Sequence, residues 1–313
     1  MRFLFILTLM VCPLFMYSCS INKLAMNMIA DALTGEGSSD VFTGDPDPQL
    51  VGDAIPFAIK LYESLLSANP GHHGLMLTTG SLFVMYANAF IQGPAEMLPV
   101  DDWEARETAL TRAKQMYLRG HEILYDALEL KFPGFKKATV AEGTMQPILQ
   151  KCKKSDVGFL YWSVAGGLAA YSIDIMDFTL SARISEWSAM IHRAYELNPD
   201  FDGAALDEFL LIFYASLPEF LGGDMDKAIH HYNVALEKTG GNSAGAYVSY
   251  AQNICVPAQD YDTYKERLES ALAIDPNADK SSRLVNIINQ RKAHWLLENA
   301  WTLFSFLPIP DNY

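Results

Sequence analysis

One spacing recurs along this chain and restricts what it can become. Counting from Ala228, the apolar or small residues Ala228, Ile229, Tyr232, Ala235 and Leu236 fall at offsets of 0, 1, 4, 7 and 8. That spacing places them on one face of a helix. Asp224 stands where an N-cap belongs, and Gly240-Gly241 can supply a left-handed stop. The same frame gives Ala58, Ile59, Tyr62, Leu65 and Leu66, then Pro70 at offset 12. From Trp187 it gives Ile191, Ala194, Tyr195 and Pro199; from Tyr264 it gives Leu268, Ala271, Leu272 and Pro276. A weaker copy runs from His121 through Tyr125 and Leu128 to Pro133. Three copies end in a polar residue and proline, Asn69-Pro70, Asn198-Pro199 and Asp275-Pro276. Proline lacks the N–H a helix needs and clashes with the preceding turn, so each pair is a stop.

Copies in this register resemble the second helix of the tetratricopeptide (TPR) unit, with its small residue, aromatic, alanine and closing proline. The stops Pro70, Pro133 and Pro199 lie 63 and 66 residues apart, and Gly240 and Pro276 follow at 41 and 36. A regular unit has about 34 residues. The early units therefore carry long helices or insertions. The expectation is an all-α, irregular TPR-like helical-repeat bundle of about 10–12 helices over residues 49–313. Helices are expected over 50–68, with Pro56 near the first turn, and over 74–92, broken by Gly93-Pro94. Others are expected over 102–131, Val157–Ile173, 179–197, 202–218, 224–238, 243–255, 260–274 and 279–300. Val157–Ile173 is the most apolar stretch after the amino terminus, yet it falls short of the ~20 residues a bilayer needs and reads as a buried helix.

The amino terminus is organised differently. Met1-Arg2 precedes an almost wholly apolar run to Phe15, then Met16-Tyr17-Ser18-Cys19. This is the layout of a secretory signal, residues 1–18. Ser18-Cys19 resembles a bacterial lipoprotein box, relaxed at Met16 and Tyr17, and makes Cys19 the expected lipidation site; an ordinary signal peptide or an uncleaved anchor is the alternative. Residues 19–48, with Thr34-Gly-Glu-Gly-Ser-Ser39 and Asp45-Pro-Asp-Pro48, read as a lipidated tether. Cys152 and Cys255 then remain, either as one disulfide or as two buried thiols, the latter being preferred.

The chain carries 37 acidic residues against 23 Lys plus Arg, with no basic stripe. Nucleic acid is therefore not expected as a partner. The histidine pairs His72-His73 and His230-His231 diverge by about 100° on a helix and chelate poorly. No HExxH, Cys/His cluster, nucleophile elbow or phosphate-binding glycine motif is present. No catalytic residue, metal or cofactor is expected, and the chain reads as a non-enzyme. The aromatics carry more. Tyr86, Asn88 and Phe90, then Tyr161, Trp162 and Tyr171, then Phe213, Tyr214, Tyr247 and Tyr250 lie on the first helix of each pair, the concave side of a TPR array. Core packing accounts for most such residues, but Tyr and Trp join a polar handle to apolar area, as a cleft for an apolar ligand with a polar head requires. Tyr86, Asn88, Phe90, Tyr161, Trp162, Tyr171, Phe213, Tyr214 and Tyr250 are the candidate cleft residues. Helices 74–92 and 157–173 are expected to face each other across it, with Gly80, Gly166 and Gly167 removing bulk for close packing or for a ligand. Asp174 and Asp177 are a solvated helix end or the mouth of that cavity.

Residues 62–90, with Tyr-Glu-Ser-Leu-Leu-x2-Asn-Pro and Thr-Gly-Ser-Leu-Phe-x2-Tyr-Ala-Asn-Ala-Phe, resemble the TatT family. So do Phe159-Leu-Tyr-Trp-Ser163 and Leu217-Pro-Glu-Phe-Leu-Gly-Gly-Asp224. These are TPR-containing, lipidated accessory components of TRAP (tripartite ATP-independent periplasmic) transporters. The resemblance implies a bacterial-envelope lipoprotein on the periplasmic side, working with a periplasmic substrate-binding protein and a membrane permease. It also implies a homotrimer and a hydrophobic cleft or pore in each protomer, and it brings no catalytic residues. The alternative function is a general envelope TPR scaffold that binds a protein segment and no small molecule.

Overall fold

The structure, a computed structural model, describes residues 30, 33–35, 40–139 and 145–310. The expected signal sequence, Cys19 and most of the tether lie outside the described residues. The protein is 77% helical and has no strand among the described residues, so the all-α expectation holds. Ten long helices carry the architecture there: α1 (Pro48–Ala68), α2 (His73–Ala87), α3 (Trp103–Lys131), α4 (Val157–Ile173) and α5 (Ile184–Leu197), then α6 (Ala205–Ser216), α7 (Met225–Thr239), α8 (Ala244–Tyr250), α9 (Tyr261–Leu272) and α10 (Arg283–Glu298).

Side chains fix where these helices start. Asp47 accepts from the N–H groups of Gln49 and Leu50, Asp224 from Lys227, Ser243 from Ala246 and Asp260 from Thr263. Each satisfies a donor that the first helical turn leaves unpaired. Gly240 and Gly241 close α7 at φ of 58° and 76°, a region open to glycine and costly for other residues. Two expectations about proline shift. Pro56 sits well inside α1 rather than near its first turn. Gly93-Pro94 does not end α2: a π-turn, Asn88–Gln92, carries the helix on to Gly93–Glu96. The same device follows α8, where the π-turn Ala251–Cys255 leads into Val256-Pro257-Ala258. A π-turn widens the helix by one residue. That accommodates a proline whose ring would otherwise meet the carbonyl four residues back.

The helices pack in sequence: α1 on α2, α2 on α3, α3 on α4, α4 on α5, α6 on α7, α8 on α9, and α10 on both α8 and α9. A central core runs from Met76 to Ile254 and holds Tyr117, Tyr125, Leu160 and Trp187. A smaller cluster lies at each end, around Ile55, Ile59, Leu75 and Phe83 at the first and around Tyr264, Leu268 and Phe304 at the last. The ends then meet. Helix α10 packs on α1 and on the turn Asp40–Thr43. Arg283 Nη1 donates to the Gly44 carbonyl at 2.9 Å, Lys292 pairs with Glu96 at 3.1 Å, and Leu284 lies against the first cluster.

Helix His73–Glu96 is long and apolar enough to cross a membrane, but more than half of it is buried, as in a core helix. Cys152 and Cys255 are free and buried, and burial pushes both thiols up to about 11.

Candidate functional site

Of the two uses expected of Gly80, Gly166 and Gly167, close packing or room for a ligand, the structure shows close packing. A Cβ on Gly80 would stand 2.5 Å from Leu124 Cγ, and one on Gly120 would stand 2.6 Å from the Gly80 carbonyl oxygen. Helices α2 and α3 thus cross nearly backbone to backbone. On α4, a Cβ at Gly166 would meet Val84 Cγ2 at 3.0 Å, and one at Gly167 would meet the Trp187 ring at 2.5 Å. Helices α2 and α4 touch directly, with Gly158 beside Leu77 and the His73 ring edge-on to Phe159 at 6.2 Å.

What remains accessible on α4 is another flank. Tyr161, Trp162, Ala165, Leu168 and Ala169 are half-buried there. Tyr161 sets its edge against Trp162 at 4.9 Å and meets Phe201 at 5.5 Å and Phe209 at 5.8 Å. Phe209 belongs to α6, and Glu208 is its neighbour. The Ser243 hydroxyl donates to Glu208 Oε1 while also capping α8. A Cβ on Gly245 would lie 3.1 Å from Glu208 Oε2 and 3.4 Å from Asn289 Nδ2 of α10, so α8 packs closely on both side chains. One turn beyond Glu208, Ile212 is exposed. Helices α4 and α6 therefore share the ring cluster, while α6, α8 and α10 meet at Glu208. Burial, then the negative charges of Asp202 and Asp207, hold the Glu208 carboxyl above the ordinary carboxylate range, against the lowering effect of the Ser243 hydroxyl. The Tyr161 hydroxyl is raised by burial and then by Asp202 and Glu208.

Of the nine candidate cleft residues, Tyr161 and Trp162 share this place. Tyr86 and Phe90 stack on each other at 6.0 Å on the side of α2 that meets α1, with Phe90 against Gly52 and Arg112 over the Tyr86 ring. Asn88 is exposed and acts on the Tyr117 hydroxyl, which donates to Gln92 at 2.6 Å. Tyr171 is half-buried against the central core. Phe213 and Tyr214 are buried between α5, α6 and α7. There, His192 Nδ1 donates to the Ser188 carbonyl at 2.6 Å and Nε2 accepts from the Tyr214 hydroxyl. Tyr250 lies on Tyr232 at 4.4 Å under Arg267. Glu208, Phe209 and Phe201 escaped the sequence reading. Glu208 looked like any acid in a first helical turn, and its partner Ser243 lies far along the chain.

The remaining polar clusters are framework. Lys114 clamps Asp174 at 2.7 Å and Asp177 at 2.9 Å, so these carboxylates close the end of α4. Fully buried Asp207 takes His231 at 2.8 Å and Lys238 at 2.8 Å. Burial raises the Asp207 carboxyl, but these two donors outweigh it and hold the carboxyl below its ordinary range. His121 donates through Nδ1 to the Ser163 carbonyl and lies on Tyr125, and burial pushes it down to about 3. No His, Cys, Asp and Glu grouping suited to a metal ion occurs among the described residues. A depression of about 690 Å³ at the start of α3, lined by Asp101, Asp102, Trp103, Glu104, Ala105, Thr108, Ala109 and Arg112, is wide open to solvent.

A sequence model of a family described as TRAP transporter T-component matches residues 44–304. A protein of Treponema pallidum (strain Nichols) is 34% identical over 300 residues, which is 91% of this chain and 93% of that protein.

Proposed function

We propose, since this chain belongs to the TRAP transporter T-component family, that it is a periplasm-facing lipoprotein which docks a periplasmic substrate-binding protein and helps transfer a small, hydrophobic ligand. The observation that carries this reading is the family match, which spans the helical domain almost end to end. The half-buried aromatic flank of α4 supports the ligand part, because rings that are neither core nor fully solvated offer apolar area to a guest. In this reading the helix pairs are TPR-like repeats. Residues 1–18 are removed, Cys19 carries the lipid on a tether reaching to residue 48, and the protein works as a homotrimer.

The test is purification from the native envelope followed by native mass spectrometry. The expected result is an amino-terminal acylated Cys19, three copies of the chain, and recovery of a substrate-binding protein with a small extra mass. Recovery of envelope assembly proteins without any such mass would replace the reading with that of a protein-binding scaffold. A chain beginning at an unmodified residue would remove the anchor.

A further inference from the structure

We infer that one edge of the bundle, formed by the start of α3 and the loops that close α4 and α6, docks a folded protein that presents Lys or Arg side chains beside an apolar patch. The inference rests on the proposed function, in which that protein is the periplasmic substrate-binding protein, and it adds where the protein docks and by what chemistry. Parallel packing puts these loops on one side. Helix α2 meets α4 start to start, through His73 and Phe159, and further along through Val84 and Gly166. Tyr161 and Phe209 join α4 and α6 in the first half of each. Helix α3 runs the other way against α2, so Tyr117 stands beside Gln92 and the first turns of α3 reach past the end of α2. Lys114 ties the same stretch of α3 to Asp174 and Asp177 after α4.

Large apolar side chains collect on this edge without a cover. After α4, Ile175 and Met176 are exposed and Phe178 is 75% exposed; after α6, Phe220 is 85% exposed; at the start of α3, Trp103 is 67% exposed. The loops at the other ends of α2, α4 and α6 hold no exposed large apolar residue among the described residues. Contiguous apolar surface of this kind marks interaction sites. Residues 103–108 of α3 are all exposed as well, although a helix in a protein draws most of its stability from a packed face. Trp103 lines the hollow of about 690 Å³ there, together with Asp101, Asp102 and Glu104.

Charge decides the occupant. On these turns of α3 the exposed acids Asp101, Asp102, Glu104 and Glu107 outnumber Arg106 and Arg112, and Glu219 stands next to Phe220. Other cations here are engaged, Lys114 with Asp174 and Asp177, and Lys227 with Asp224. A second copy of this chain, whose net charge is −14, would bring more acid to an acidic edge, and an anionic lipid surface would do the same. A Lys or Arg of a partner instead gains the carboxylates and the Trp103 ring together. The loop tips then take the partner's apolar patch, giving an apolar centre with a polar rim.

The experiment places a photoreactive side chain in the full chain in its native envelope, one position at a time: Trp103→p-benzoylphenylalanine, Phe178→p-benzoylphenylalanine and Phe220→p-benzoylphenylalanine. Leu130→p-benzoylphenylalanine, exposed at the opposite end of α3, is the control. Irradiation is expected to give the same adduct from all three edge positions, identified by mass spectrometry as a substrate-binding protein, and none from Leu130. In the Phe178 variant, adding Asp101→Lys and Glu219→Lys should lower the adduct yield at least about tenfold, the loss expected when a charge contact becomes a like-charge one. Both positions are exposed, so the melting temperature should not change. An undiminished yield would overturn the basic chemistry of the partner. Adducts with a second copy or with lipid alone would make the edge a self-contact or a membrane contact and overturn the docking site. Capture of the substrate-binding protein from Leu130 and not from the edge would overturn it too, while the proposed function stands. If no position captures that protein, the docking site falls, and co-purification from the same envelope shows whether the proposed function falls with it.

Discussion

Trp162 rests against Tyr161 and the central core but is only half-buried, unlike Trp187, which is fully enclosed. Truncating an enclosed aromatic costs about 3–5 kcal/mol, so Trp162→Ala should cost distinctly less, on the order of 1–2 kcal/mol. Urea unfolding measures this, and under the proposed function retention of a small apolar ligand should fall in the same variant while the helical signal stays. A loss as large as that of Trp187→Ala, with ligand binding intact, would make Trp162 packing and nothing more. Asp207 makes the opposite kind of prediction. His231 and Lys238 hold its carboxyl below the ordinary range despite burial. The unfolded chain therefore takes up this proton first as pH falls. The stability that Asp207 contributes is complete above the ordinary carboxylate range and disappears as pH drops through its lowered folded value. Asp207→Asn should cost toward the lower end of about 3–5 kcal/mol at neutral pH, since partly exposed Lys238 can still turn to Asp200. It should also flatten the acid limb of melting temperature against pH. A variant as acid-sensitive as the parent would place the acid limb elsewhere.

At the scale of elements, helices differ in how plainly they read. Helices α5, α7 and α9 bury one face, and the residues that face predicts, such as Ile191, Ala194, Ala228, Tyr232, Leu268 and Ala271, are buried. Their spacing was legible because one side is core and the other is water. Helices α2 and α4 are apolar on nearly every side, and neighbours cover most of each. Sequence then shows that they are buried but not which flank is left open, so aromatics from several different interfaces were gathered into one cleft. The π-turns were illegible for a related reason: Gly93-Pro94 reads as a stop, and only the tertiary setting favours continuing past it. The closest helix contact gives the sharpest test at this scale. Gly120→Ala would drive a methyl into the Gly80 carbonyl oxygen, which cannot move without separating α2 from α3. Overpacking of this kind costs about 1–3 kcal/mol, and here the upper end is expected, exceeding the ~1 kcal/mol that alanine gains as a helix former. Gly71→Ala, with nothing within 4 Å of its Cβ, should be close to neutral. Equal melting temperatures for the two variants would contradict the close crossing.

At the scale of the molecule, the three hydrophobic clusters are not joined equally. The central cluster shares half-buried residues with each of the others, among them Tyr86 and Leu66 on one side and Tyr247 and Tyr250 on the other. The two end clusters meet through Leu284, the Lys292–Glu96 pair and the bond from Arg283 to the Gly44 carbonyl. The helical circuit is thus closed by a polar seam rather than by core. Closure escaped the sequence reading because a lysine and a glutamate nearly two hundred residues apart carry no pattern. A partly exposed ion pair contributes about 0–1 kcal/mol and a single hydrogen bond about 1 kcal/mol, so the double variant Arg283→Ala, Lys292→Ala should lower global stability by no more than about 2 kcal/mol. Its local effect should be larger than its global one, because opening free energies vary along a structure and are lowest where few apolar contacts hold. Hydrogen exchange by mass spectrometry is expected to accelerate in α10 and in the turn Asp40–Thr43, with α3, α4 and α5 unchanged. Uniform acceleration through all helices would show instead that the seam belongs to the same cooperative unit as the core. In that case the last helix opens only when the central core opens with it.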